Sequence, residues 1–205
     1  MALGWVVKDH ATGRFNLGQE LAALGYSAIA RNPLEKVAEA ELRLLAERLN
    51  QVVYLSVRAG LDIVCIGRYE SKSQIQIGRG DPGLRGPFGM TQSCLGMMAY
   101  MSTNEVYEII ETNLSRYHRV EGFDETGFRR SVKEAIQNGY GTFDNITLDR
   151  TTSGIGIAIL DPYGQPLAAI GTTFLTGWLT EDQRQNCILE TQKTARKIEG
   201  LLFKL

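Results

Sequence analysis

Residues 153–174 read SGIGIAILDPYGQPLAAIGTTF, two apolar runs rich in β-branched residues on either side of Asp161-Pro162-Tyr163-Gly164. That tetrapeptide places Asp, Pro and Gly where a type I turn wants them. The stretch therefore predicts an antiparallel hairpin. Gly171, Thr172 and Thr173 interrupt its second strand with small and hydroxyl groups. A sheet makes room for a bound molecule in this way, although hydroxyls satisfied by their neighbours explain the pattern equally well.

Working back from the hairpin, residues 52–77 are again β-branched and aromatic, with turn positions at Ala59-Gly60 and Ser71-Lys72 and strict alternation in SQIQI at 73–77. Three antiparallel strands are predicted there. A glycine-rich loop, 78–89, leads into an apolar helix over 91–101. Ser102 and Glu105 form a capping-box pattern ahead of Val106, Ile109 and Ile110, which opens a further helix. Phe128, Val132 and Ala135 mark another, stopped at Asn138-Gly139, and strand character resumes at Tyr140. Beyond the hairpin, Thr180 with Gln183 caps a terminal helix whose Ile188, Ala195, Ile198 and Leu202 face one way.

Ahead of all this, residues 5–17 read as two short extended pieces around an Ala-Thr-Gly turn. Leu17, Leu21, Leu24 and Ala28 then recur at helical spacing, weakened by Gly18 and Gly25. Asn32-Pro33 starts a stronger helix whose face is Leu34, Ala38, Leu42, Leu45 and Leu49. Antiparallel strands in two blocks, with helices before, between and after them, predict an α+β domain in which helices cover an antiparallel sheet. A doubly wound parallel fold is excluded.

The 205 residues, 43% hydrophobic, carry 22 Lys and Arg against 23 Asp and Glu, a net charge of -1. This balance does not suit a surface that must neutralise many phosphates. Cys65, Cys94 and Cys187 form no CxxC pair, so neither a disulfide framework nor a thiolate zinc site is expected. The setting expected is reducing and cytoplasmic, with no membrane span.

Several motifs invite a chemical reading. Gly78-Arg79-Gly80-Asp81-Pro82-Gly83 matches GxGxxG after a strand, with Glu105 at a ribose-binding distance. A dinucleotide fingerprint opens directly into a helix, however, whereas Gly86-Pro87 keeps this chain irregular until about Thr91. A flexible or ligand-gating loop is the simpler reading. Cys94 sits beside Ser93 at a helix start, where the dipole lowers a thiol pKa. With His10 and His118 as the only imidazoles and neither in a motif, a small buried thiol is favoured over a nucleophile. No catalytic residue and no metal site is assigned. Asp144, between Phe143 and Asn145, either points into a cavity or is solvated, and spacing alone favours solvation.

Four stretches together resemble the isocitrate lyase regulator (IclR) family of bacterial transcription regulators. GWVVKDHATGRFNLGQELAALG is similar to the end of that family's wing hairpin and its linker helix. PLEKVAEAELRLLAERLNQVVYLSVRAGLDIVCIGRYES is similar to a helix and two strands of its sensing domain. GLRGPFGMTQSCLGMMAYMSTNEV resembles its loop-helix segment, and SGIGIAILDPYGQPLAAIGTTFLTGWLT its last hairpin and closing helix.

The resemblance implies a GAF-like or profilin-like fold with a six-stranded antiparallel sheet flanked by helices. It implies residues 1–17 as a remnant of the wing, residues 18–205 as an effector-binding domain, and the winged helix-turn-helix head as missing. It further implies a non-enzymatic domain without a cofactor, a carboxylate or aromatic acid as effector, and a homodimer or tetramer. Promoter DNA is bound only through the missing head. Carried over, the pocket comprises Met90, Gln92, Ser93, Cys94, Asp144, Thr152, Gly154, Gly171 and Thr173, with Met98 against the apolar part of the ligand. Gly89, Cys94 and Leu95 stand where the family often has His, Gly and Lys, and Ile159 stands where it has Pro, which implies an altered or unoccupied pocket. Three other readings stand beside this one: a different GAF-like or PAS-like sensor of a nucleotide or chromophore; an enzyme of small-molecule metabolism, against which the lack of any base paired with a nucleophile argues; and a pure dimerisation module with a collapsed pocket.

Overall fold

The structure, a computed structural model, describes residues 3–31, 33–72, 78, 80–144 and 151–204. The strand read at 73–77, Asn32, Arg79 and Asn145 lie outside them. The chain divides into two compact units, residues 1–36 and 37–205. In the first, β1 (Val6–Lys8) and β2 (Phe15–Leu17) pair antiparallel, Val6 opposite Leu17, and α1 (Gln19–Arg31) follows. The Asp9 carboxylate ties the hairpin turn by accepting from the Ala11 N–H at 2.9 Å.

α2 (Pro33–Leu49) runs across the boundary between the units. The second unit then builds one six-stranded antiparallel sheet from β3 (Val52–Ala59), β4 (Asp62–Tyr69), β5 (Arg85–Pro87), β6 (Gly141–Asp144), β7 (Thr152–Leu160) and β8 (Pro166–Leu175). Its order is β5-β4-β3-β8-β7-β6. The hairpin that decides the fold is present as β7 and β8. Asp161 Oδ1 accepts from the N–H groups of Tyr163 and Gln165, each at 2.8 Å. Its carbonyl closes the turn on the Gly164 N–H at 2.9 Å, and Gly164 takes a left-handed φ of 78° that side-chain-bearing residues avoid. The short edge strand β5 lies within the stretch expected to be irregular. Its pairing with β4, Ile63 opposite Gly86, draws part of the glycine-rich loop into the sheet.

Helices cover both faces. α3 (Gln92–Met98), α4 (Thr103–Tyr117) and α5 (Glu125–Asn138) share an apolar core in which Phe88, Leu95, Met98, Ile109, Tyr117, Phe128 and Phe143 are buried. The helix expected over 91–101 is shorter than read, and the chain turns at Tyr100 and Met101 before Ser102 caps α4. α5 stops, as expected, on a left-handed Gly139 with φ 74°. On the opposite face α6 (Glu181–Phe203) starts from the complete Thr180/Gln183 capping box. α2 lies beside α6, tied to it by Arg48 to Glu190 at 3.2 Å and Lys197 to Glu41 at 2.8 Å. Among the described residues no helix is long and apolar enough to cross a membrane.

Candidate functional site

Strand alternation decides what each residue can reach. In the sheet Gly154 lies opposite Thr173, Gly156 opposite Gly171, and Gly141 opposite Gly156. These positions share one face, and α3 lies directly on it. A Cβ at Gly156 would sit 1.8 Å from the Gln92 carbonyl oxygen, one at Gly141 2.5 Å from the Gly96 nitrogen, and one at Gly96 2.5 Å from the Gly156 carbonyl oxygen. Only glycine lets helix and sheet meet backbone to backbone. The N-cap Thr91 holds the start of α3, its hydroxyl accepting from the Cys94 N–H at 3.4 Å.

Gln92 and Ser93 project from that helix start onto β7 and β8. Gln92 Nε2 donates to the Thr172 carbonyl and to Thr173 Oγ1, both at 3.0 Å. Its side chain fills the notch over Gly154, where a Cβ would be 2.8 Å from Cδ. The buried Ser93 lies over Gly171, where a Cβ would approach its hydroxyl to 2.5 Å. Thr152 sits on the same face of β7, half-buried. Five of the candidate residues, Gln92, Ser93, Gly154, Gly171 and Thr173, therefore converge on one spot.

Met90, Cys94 and Met98 are buried in the apolar core beside it. The Cys94 thiol lies 3.2 Å from Thr91 Oγ1, and burial pushes its pKa up rather than down. Burial thus outweighs the hydrogen bonds from Thr91 and its neighbours that would lower it. Burial likewise raises Cys65 and Cys187.

Asp144 is placed elsewhere. It faces away from α3, because Gly141 and Phe143 point toward that helix and its neighbour core, and residues of a strand alternate. The Asp144 carboxylate instead takes a fork of hydrogen bonds from Arg184 on α6, at 3.1 and 2.9 Å. Burial raises its pKa, but Arg184 and Ser153 outweigh this and hold it below the ordinary carboxylate value. The side chain that spacing alone reads as solvated is here partly exposed and held by Arg184.

The glycine motif has a packing explanation. Tyr54, opposite Gly171 in the sheet, lies under the loop, and a Cβ at Gly78 would be 1.9 Å from its hydroxyl and one at Gly80 2.8 Å from its ring. The loop is pinned to β4 by Gly83 N–H to Cys65 O at 2.8 Å and Cys65 N–H to Leu84 O at 2.9 Å. Tyr54, Gly156 and the Thr172 carbonyl were not among the candidates. The Gly-x-Gly spacing at 154 and 156 was the signal available for the second. Among the described residues no group of three or more His, Cys, Asp or Glu is placed to hold a metal. Two open clefts, about 360 and 240 Å3, lie along α2 and α6, one lined by Arg48, Gln51, Asp182 and Asn186, the other by Glu41, Leu44, Lys193 and Lys197.

Comparison with known proteins places this geometry. The family profile described as "Bacterial transcriptional regulator IclR C-terminal" matches residues 26–200. Curated relatives include the HTH-type transcriptional regulator KdgR of Dickeya chrysanthemi, 23% identical over 200 residues, which cover 96% of this chain and 64% of KdgR. The chain is 25% identical to the HTH-type transcriptional repressor AllR of Escherichia coli K12, across 98% of this chain and 74% of AllR. It thus spans just under two thirds of one relative and about three quarters of the other. The crystal structure of Thermotoga maritima IclR superposes with a TM-score of 0.77 at 18% identity, covering 97% of this chain and 80% of that one. The fold is shared. The chain belongs to the IclR family of bacterial transcriptional regulators and carries that family's C-terminal domain.

Proposed function

We propose that the chain is the effector-sensing and oligomerising domain of a cytoplasmic transcription regulator, that its effector is a small organic acid held between α3 and the sheet, and that it catalyses no reaction. The observation that carries this reading is the convergence of Gln92, Ser93 and Thr173 on a patch of sheet whose other positions are Gly154 and Gly171. Small binding sites join a few aimed polar groups to apolar walls. Here the hydroxyls of Ser93 and Thr173 supply the polar part, Thr152 lies on the same strand face, and Met90 is assigned to the apolar wall.

In the parent protein a winged helix-turn-helix head binds promoter DNA, and residues 1–17 are the end of its wing. Residues 18–205 form the sensing domain, which assembles as a dimer or tetramer. The effector shifts that assembly only by binding two arrangements with different affinity. A thermal-shift screen against small aliphatic and aromatic acids tests the reading. An acid present at 100 times its dissociation constant adds roughly 2.7 kcal/mol. The stabilisation is expected in the unaltered protein and lost in Thr173→Val. Failure of every acid in a broad panel, or a hit indifferent to Thr173→Val, overturns it.

A further inference from the structure

Gln92 does in this protein what a ligand would do. Its amide nitrogen spends its two hydrogens on two acceptors, the Thr172 carbonyl and Thr173 Oγ1, each at 3.0 Å. Its Cγ and Cδ lie where Cβ atoms of Gly154 and Gly171 would otherwise project, 3.0 and 2.8 Å from the first and, for Cγ, 3.6 Å from the second. The side chain is half-buried, at the rim of the helix-sheet junction rather than in the core, so it can leave without unpacking α3. We propose that the Gln92 carboxamide is a resident stand-in for the effector, occupying its subsite until a ligand group displaces it.

The acceptors it leaves behind define what can replace it. The Thr172 carbonyl only accepts, and the Thr173 hydroxyl does either. A carboxylate set in the same place would aim an oxygen at the Thr172 carbonyl oxygen, two acceptors without a hydrogen between them. The group that enters is therefore a hydrogen-bond donor toward the Thr172 carbonyl, a primary amide, an amine or a hydroxyl, and not a carboxylate. An effector acid meets this subsite with such a group and carries its carboxylate elsewhere. Gln92 thus sets both specificity and apparent affinity, since ligand binding is weakened by the fraction of molecules in which Gln92 still occupies the site.

This inference rests on the sensor reading, but its test does not need the natural effector. In Gln92→Ala the departing atoms correspond to acetamide, and acetate is its charged isostere. We expect acetamide at millimolar concentration to raise the melting temperature of Gln92→Ala by about 2 °C or more, leaving the unaltered protein unmoved, while acetate does nothing for either. Equal protection by acetate, equal protection of the unaltered protein, or no protection by acetamide overturns the proposal. If Gln92→Ala does not fold, Gln92→Glu decides. Its new carboxyl, facing the Thr172 carbonyl, titrates above the unfolded value of about 4.3. Stability relative to the unaltered protein is then kept below that pH and lost as pH rises through the raised folded value. A flat difference across pH overturns the proposal. Acetamide protection without any acid hit in the screen removes the organic-acid reading alone, and an acid hit without acetamide protection removes the stand-in alone.

Discussion

At the scale of single residues, burial and strand parity decide which side chains are free to act. Cys65, Cys94 and Cys187 are all buried, and burial raises each thiol's pKa. Thiolate is the reactive form, so Ellman's reagent at pH 8 is expected to find no fast thiol in the folded protein and three after denaturation. A rapid equivalent in the native state would contradict the burial of these thiols. Asp144→Asn should leave ligand affinity unchanged, because the carboxylate faces Arg184 rather than Gln92. Since the pair is partly exposed, the substitution should cost at most about 1 kcal/mol in urea denaturation at pH 7. Its folded pKa is lowered, so the pair's contribution is present above the unfolded value of about 3.9 and shrinks as pH falls through the lower folded value. A cost that persists at pH 2 contradicts the ion pair. The sequence held part of this information. Phe143 and Asp144 had to face opposite ways, but which of them faced α3 depended on where β6 begins, and a one-residue slip reverses both.

At the scale of elements, the contact of α3 with the sheet is the one that positions the site. Gly156→Ala is expected to destabilise strongly, by about 3 kcal/mol or more, because its methyl would stand 1.8 Å from the Gln92 carbonyl. Gly164→Ala, whose Cβ meets nothing within 4 Å despite a φ of +78°, should cost about 1–2 kcal/mol. Chemical denaturation of the two variants separates them, and similar costs would mean that α3 does not rest on the backbone of β7. Thr180→Ala, which removes the capping box at the start of α6, should cost about 1 kcal/mol. The β7–β8 hairpin, the stop at Gly139 and this cap were legible because each has a local chemical cause in its own residues. β5 was not, since three residues including Gly86 and Pro87 carry no strand signal and owe their conformation to pairing with β4. α3 ends at Met98 although apolar residues continue to Met101, because Ala99 and Met101 still pack, partly buried, against the apolar core after the helix has stopped.

At the scale of the molecule, membership of the IclR family and the six-stranded architecture follow from the profile match over residues 26–200 and from the likeness to solved folds. Both were expected from four separated stretches that each carry local hairpin, loop or cap chemistry. The approach of Gln92 to Thr173, residues 81 apart in sequence, depends on the crossover that brings α3 onto β8, and no local pattern encodes it. Ligand entry between α3 and the sheet is the proposal on which the rest depends. The most direct test is a two-dimensional amide NMR titration of this domain with an acid that stabilises it. Shifts are expected to concentrate at Ser93, Gly154, Gly171 and Thr173, with loss of the Gln92 side-chain amide's hydrogen-bonded position. Shifts concentrated instead at Gln51, Asp182 and Asn186, which line the cleft along α2 and α6, would contradict it.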